Sequence, residues 1–206
     1  TDNLVLANFI KIKSKDKLLV EFGSGLLSIP LLLSARTDIK MVGIEKDNNA
    51  SRLSEISIKD NHLEDKIKVI NDDIKNINKY FAINSIDIIV CNPPYFLVDN
   101  ESTTSDKEYL KMARHEGDMT ISDVARLSKI YLRDRGSLFL VSRADRLFEI
   151  RDVLIKNKLA IKEIQFIYHD LDASGKLVLI EARKSGKEHG LKVLKPIILE
   201  EGDVNG

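Results

Sequence analysis

The chain has 206 residues, 43% of them hydrophobic and 31% charged, which excludes a disordered tail or a fibrous repeat and suits one globular domain over residues 1–206. Such a length buries about 70% of the unfolded surface without a disulfide or metal staple, and the single cysteine, Cys91, fits a reducing, cytoplasmic setting. Lys plus Arg and Asp plus Glu both number 32, so net charge is zero and a whole-protein basic field is excluded, although a local patch is not.

The chain begins at Thr1 and runs at once into Leu4-Val5-Leu6, so a leading segment is expected ahead of it; nothing reads as a signal peptide. Lys17–Phe22 predicts a strand and Leu26–Arg36 the helix after it. Met41–Ile44 is a second strand ending at Glu45, and Asn48–Lys59 sets Ala50, Leu53 and Ile56 at helical spacing. Ile67–Ile70 and Ile86–Cys91 are further strands, the latter (IDIIVC) apolar enough for burial on both faces. Phe96–Asp118 is a long polar connection without periodicity, a length that in compact domains marks functional or mobile loops. Thr120–Leu132 predicts a helix, Ser137–Val141 a strand and Arg143–Lys156 a helix. Ala160–Tyr168 and Leu177–Arg183 are closing strands that can pair antiparallel at the sheet edge. Short apolar runs alternating with helical stretches give an α/β class with a mostly parallel sheet and helices on both faces. No apolar run approaches the roughly 18 residues of a membrane span. His62, His169 and His189 lack any spacing to cysteine or carboxylates that suggests a metal.

Glu21-Phe22-Gly23-Ser24-Gly25-Leu26-Leu27 links the first strand to the first helix, and its glycines permit a tight turn and close approach of backbone to a ligand. Glu45, ending the second strand, is placed to accept hydrogen bonds from both hydroxyls of a ribose, which suggests a nucleotide-like cofactor at the carboxyl ends of the strands. Two cofactors compete. A nicotinamide pattern, G-x-G-x-x-G, fails at Ser28; the (D/E)-x-G-x-G-x-G pattern of S-adenosylmethionine enzymes keeps Glu21 but meets Leu27 at its third glycine. Glu21 favours the sulfonium cofactor, because an acid there repels a pyrophosphate and attracts an amino group. After the third strand, Asn71-Asp72-Asp73-Ile74 reads on residue types alone as a strand-ending turn. It also offers a carboxylate, Asp73, for an adenine amino group, and an apolar side chain, Ile74, for the ring.

Asn92-Pro93-Pro94-Tyr95 closes the fourth strand. Its chemistry suits a nitrogen conjugated to a π system, whose withdrawn lone pair is a poor nucleophile. The side-chain oxygen of Asn92 and the backbone carbonyl of Pro93 accept one amino hydrogen each, favouring a pyramidal nitrogen with its lone pair aimed at an incoming methyl group. Each proline fixes φ and extends the residue before it, holding that carbonyl clear of a helix or ladder. Tyr95, with Phe96 beside it, supplies a face for a planar substrate. In-line placement matters more here than acid or base catalysis. An isolated Asn-Pro marks an ordinary turn; four such residues after a buried strand, downstream of a glycine loop and an acidic strand end, mark a site.

Taken together, Glu21–Leu27, Glu45, Asp73 and Asn92–Tyr95 resemble the class I S-adenosylmethionine-dependent methyltransferases that modify an amino nitrogen. More narrowly, Asp2–Phe9, Arg114-His115-Glu116, Arg143–Leu147 and Gly190–Leu194 are similar to stretches of the bacterial tRNA adenine-37 N6-methyltransferases, which act on valine tRNA. The resemblance implies a Rossmann-like, seven-stranded sheet with its last strand antiparallel, and S-adenosylmethionine as cofactor. It implies tRNA, through its anticodon stem-loop, as partner, with neither metal nor membrane. Glu21, Gly23, Gly25, Glu45, Asp73, Ile74 and Asn92 are then expected at the cofactor, Asn92 to Tyr95 at the transfer, and Tyr95, Phe96, Arg114, His115, Arg143 and Arg146 on the RNA. Two departures stand out. Leu26-Leu27 replaces the family's Asn-Gly pair, and zero net charge requires basic residues to be localised. Lys11, Lys13, Lys15 and Lys17 read as a solvated face, whereas Lys107, Lys111 and Arg114, or Arg143 and Arg146, offer other patches. Methylation of a protein glutamine or a DNA adenine, and a non-catalytic RNA-binding module, are the alternatives.

Overall fold

Alternation of short apolar runs and amphipathic stretches builds one twisted sheet with helices on both sides. The computed structural model describes residues 2–93, 119–169 and 174–199. Pro94, Tyr95, Phe96, Lys107, Lys111, Arg114 and His115, and with them the polar connection, lie outside the described residues. In chain order come α1 (Asp2–Phe9), β1 (Leu18–Phe22), α2 (Ser28–Ser34), β2 (Lys40–Glu45), α3 (Asn48–Asp60) and β3 (Ile67–Asn71), then a 3-10 turn at Ile74–Lys79 and β4 (Ile86–Cys91). After these follow α4 (Ile121–Tyr131), β5 (Leu132–Arg143), α5 (Leu147–Lys156), β6 (Leu159–Tyr168) and β7 (Leu177–Lys184), closed by the two-residue strands β8 (Lys192–Val193) and β9 (Ile197–Ile198).

The strand order is β3-β2-β1-β4-β5-β7-β6-β8, with β9 also on β6. Strands β1 to β5 pair in parallel, while β7 runs antiparallel to both β5 and β6. Seven strands form the expected sheet, and β8 and β9 add two short ones in parallel on the outer side of β6. The closing strands do pair antiparallel, but β7 is interior, and β6 lies outside it, flanked in turn by β8 and β9.

Each face carries its own apolar core. One cluster joins Val20, Phe22, Ile89 and Cys91 to Val124 and Leu127 of α4 and Ile150 and Leu154 of α5. The other joins Leu19, Ile88 and Val90 to Leu6 and Phe9 of α1, Leu33 of α2 and Ile58 of α3. All six residues of β4 are buried, as a strand covered on both faces requires. Side-chain caps fix two helix starts. Asp47 accepts from the Ala50 N–H at the head of α3, and Thr120 and Asp123 form a reciprocal capping box on α4.

Candidate functional site

Parallel register sets the carboxyl ends of four strands side by side. Phe22 lies opposite both Ile44 and Cys91, and Glu45 lies opposite Asn71. The glycine loop, Glu45, Asp73 and Asn92 therefore leave the sheet at one end, where ligands of open α/β sheets bind.

The loop is strapped to β2. The N–H groups of Gly23 and Ser24 both donate to the carbonyl of Ile44, at 2.9 and 3.2 Å, and the Gly25 N–H donates to Glu45 Oε2 at 2.7 Å. Ser54 Oγ of α3 donates to the Gly25 carbonyl at 3.1 Å. Positive φ at Gly23 (65°) and Gly25 (51°) makes this path possible. Three consecutive amides, those of Gly23, Ser24 and Gly25, are thus committed to protein acceptors and are not presented to a pyrophosphate. Glu45 Oε1 also accepts from the Asp47 N–H at 2.8 Å. Each of its oxygens keeps a second lone pair for a hydroxyl.

Leu27, standing at the third glycine position, adopts the left-handed conformation itself (φ 59°) and delays the helix to Ser28 rather than Leu26. Its side chain is fully buried and turns under the loop onto β2. A Cβ on Gly43 would meet Leu27 Cδ2 at 2.3 Å and Ser24 Oγ at 2.4 Å. Gly43, a strand-interior glycine, makes room for the leucine that the loop substitutes for a glycine.

Glu21 is 2% exposed, and its Oε2 has no hydrogen-bond partner among the described residues. Burial, and next the charge of Glu45, push its carboxyl well above the ordinary value of 4.5. Cys91 is buried beside it; desolvation, and next the Glu21 charge, push the thiol far up, and its S–H donates to Met119 Sδ at 3.8 Å. This is a packed strand cysteine, as its residue type suggests. Met119 Cε also lies 3.0 Å from where a Cβ on Gly23 would stand, so a methionine covers the turn.

Asn92 and Pro93 are half-buried, and the Asn92 Nδ2 donates to Asn3 Oδ1 of α1 at 2.9 Å. Asp73 caps the following 3-10 turn, accepting from the Lys75 N–H at 2.9 Å, and Ile74 belongs to the core beneath. Its neighbour Asp72 is the hub of this turn. The Tyr80 hydroxyl (2.7 Å), Asn76 Nδ2 (2.7 Å), Lys79 Nζ (3.0 Å) and the Asp73 N–H (2.8 Å) hold its carboxyl far below the usual range. Arg143 ends β5 and pairs with Asp145, and Arg146 pairs with Glu149 through two contacts of 2.9 and 2.7 Å. Arg143, His169 and Lys176, with Asp2 and Asp145, line a cleft of about 590 Å³ at the carboxyl ends of β5 and β6. Lys13, Lys15 and Lys17 precede β1 and lie at the opposite end of the strands, and Lys11 pairs with Glu163.

Among the described residues no group of three or more His, Cys, Asp or Glu gathers for a metal, and no helix is long and apolar enough to cross a membrane. Sequence reasoning missed Asn3, Gly43 and Met119. Only Gly43 left a signal, since glycine inside a strand marks a close approach.

Against known proteins, the chain is 22% identical over 196 residues to a tRNA1(Val) (adenine(37)-N6)-methyltransferase of Shewanella baltica, covering 94% of this chain and 80% of the relative. A Tolumonas auensis protein of the same name is 26% identical over 142 residues, covering 68% and 57%. Among solved structures, an Agrobacterium tumefaciens protein described as a predicted O-methyltransferase superposes with a TM-score of 0.75 at 17% identity, over 96% of this chain and 87% of that one. The geranyl diphosphate C-methyltransferase of Streptomyces coelicolor, solved with Mg2+, geranyl diphosphate and S-adenosylhomocysteine, gives 0.60 at 12% identity, over 88% and 78%. The fold is that of the class I methyltransferases. Residues 2–168 match the family described as methyltransferase small domain, and the chain belongs to that family.

Proposed function

We propose that this chain, acting as one methyltransferase unit, transfers a methyl group from S-adenosylmethionine to the N6 amino group of an adenine in the anticodon loop of tRNA. The observation that carries this is the meeting of Asn92 and Pro93 with the Glu21–Gly25 loop at adjacent strand ends. The names of the Shewanella and Tolumonas relatives support the choice of substrate. The cofactor supplies an electrophilic methyl group when bound.

The residues present fit that cofactor. A buried carboxylate with an orphaned oxygen, Glu21, suits a methionine ammonium, which donates to that oxygen and stabilises the charge. Glu45 takes the ribose hydroxyls on its remaining lone pairs while its backbone donors keep it in place. Asp73 accepts from the adenine amino group. Asn92 Oδ1 and the Pro93 carbonyl take the two hydrogens of the substrate amine and leave its lone pair facing the donor. The target base is splayed from the loop and stacks on Tyr95 and Phe96. Arg114, Arg143 and Arg146 hold the RNA backbone, and His115 stacks on or hydrogen-bonds a nucleotide.

Nucleoside mass spectrometry of total tRNA, incubated with cofactor and with or without the protein, tests this; N6-methyladenosine appearing only with the protein is the expected result. Label entering a ribosomal protein extract instead of tRNA would assign a glutamine substrate. Tyr95→Ala is expected to raise KM for tRNA about 5- to 160-fold, from a stacking loss of about 1–3 kcal/mol, and Tyr95→Phe to change it little. The reverse ranking argues against stacking.

Glu21 yields a pH prediction. Its folded value lies above the unfolded one, so its ionisation costs the free protein nothing below pH 4.5 and progressively more as pH rises toward the folded value. Glu21→Gln is therefore expected to raise the melting temperature of the free protein at pH 8 and to match the parent at pH 4.5. With saturating S-adenosylhomocysteine at pH 8 the order reverses, because only the parent carries a carboxylate for the ammonium. Thermal scans at the two pH values, with and without ligand, read both effects.

A further inference from the structure

We infer that Asn3 is a positioning residue for the transfer, setting which edge of the Asn92 amide faces the substrate. The inference rests on the acceptor role proposed for Asn92. A primary amide has two edges of nearly equal shape, one accepting and one donating. Only the oxygen edge can take an amino hydrogen; the nitrogen edge would meet the substrate N–H with another N–H. A residue that acts through Asn92 must therefore distinguish its two ends. Asn3 Oδ1 does so, accepting from Asn92 Nδ2 at 2.9 Å across 89 residues of sequence. With the Asn3 amide held as it stands, rotating the Asn92 amide by half a turn would set oxygen against oxygen at that contact. The Asn92 oxygen accordingly lies on the edge turned away from α1.

The helix that carries Asn3 is well anchored. Leu6, Ala7 and Phe9 are buried, and the Phe9 ring meets Phe139 of β5 edge to face, with centroids 5.8 Å apart and planes at 84°. The Arg36 guanidinium, just beyond α2, donates to the Ala7 carbonyl. Asn3 sits in the first turn of α1, so its side chain is delivered to Asn92 from an element fixed against both α2 and β5. Such fixing matters because orientation errors of about 1 Å cost about a hundredfold in rate.

Two substitutions separate this role from a structural one. Asn3→Ala removes the acceptor while favouring helix, so the fold is expected to keep its melting temperature. Asn3→Asp keeps the acceptor and the shape, and its charge suits a helix start. With tritiated S-adenosylmethionine and total tRNA, Asn3→Ala is expected to lower kcat by about 10- to 100-fold, with KM for tRNA and affinity for S-adenosylhomocysteine each within about twofold. Asn3→Asp is expected to stay within about threefold of the parent. An Asn3→Ala protein with full kcat overturns the inference, as does an Asp variant as impaired as the Ala variant. An Asn92→Ala protein that still transfers at the parental rate removes the acceptor reading itself, whatever Asn3 does.

Discussion

Asn92→Ala is expected to lower kcat/KM for methyl transfer about a thousandfold while leaving S-adenosylhomocysteine affinity within about twofold. The asymmetry follows from which strand ends do what. In the proposed reading the cofactor groups lie at the ends of β1 and β2, through Glu21, the glycine loop and Glu45, whereas Asn92, just past the end of β4, addresses the acceptor amine. Removing the amide deletes one of two hydrogen-bond acceptors that orient a poorly nucleophilic nitrogen, and alignment is most of what methyl transfer asks of a protein. The structural cost is small. Asn92 is half-buried, and losing its bond to Asn3 costs about 1 kcal/mol, small beside the effect expected on transfer. Equal losses of transfer and of cofactor affinity would place Asn92 in the cofactor site instead.

Gly43→Ala is expected to destabilise the protein by about 3 kcal/mol, the upper end for overpacking a core, because nothing nearby can yield cheaply. The new methyl would stand 2.3 Å from Leu27 Cδ2 and 2.4 and 2.7 Å from Ser24 Oγ and Cβ. Both neighbours are in the glycine loop, and that loop is tied to β2 through Ile44 and Glu45. Cofactor affinity should therefore fall with stability. Urea denaturation would read the loss as a lower midpoint at unchanged slope. Leu27→Ala removes the closest contact, so the double variant should be less destabilised than the sum of the singles. A Gly43→Ala protein as stable as its parent would show that the leucine and glycine are independent.

Most of the architecture was legible because burial on both faces writes itself into a strand: Ile86–Cys91 was expected and found with the same bounds. Other elements were hidden for identifiable reasons. In α1, Val5, Leu6, Ala7 and Phe9 are buried together, so no polar stripe reports the period. Strand β5 begins at Leu132 rather than Ser137 because Arg133-Asp134-Arg135-Gly136 looks like a loop. Those residues sit in an irregularity between the pairings of Ile86 and Ile88, with Arg135 at positive φ. Strands β8 and β9, two residues each, fall below any periodicity. At the candidate site, residue type and position at a strand end were enough to single out Glu45 and Asn92 in the sequence. Asn3 gave no such notice, because its partner is 89 residues away in sequence and the contact depends on where α1 docks. The solitary burial of Glu21 was likewise invisible; sequence marks an acid, not whether water reaches it.

The interior place of β7 has a consequence for how the chain is made. Among the described residues, strand β6 pairs only with β7, β8 and β9, and the outer flank of β5 is completed by β7. During synthesis, every residue up to Tyr168 emerges before the strand that joins β6 to the rest of the sheet, so β5 waits at the ribosome with a bare flank. Truncation ahead of Leu177 would therefore remove more than the last long strand. It would set β6 adrift with it, and expose the open rim to any other extended segment nearby.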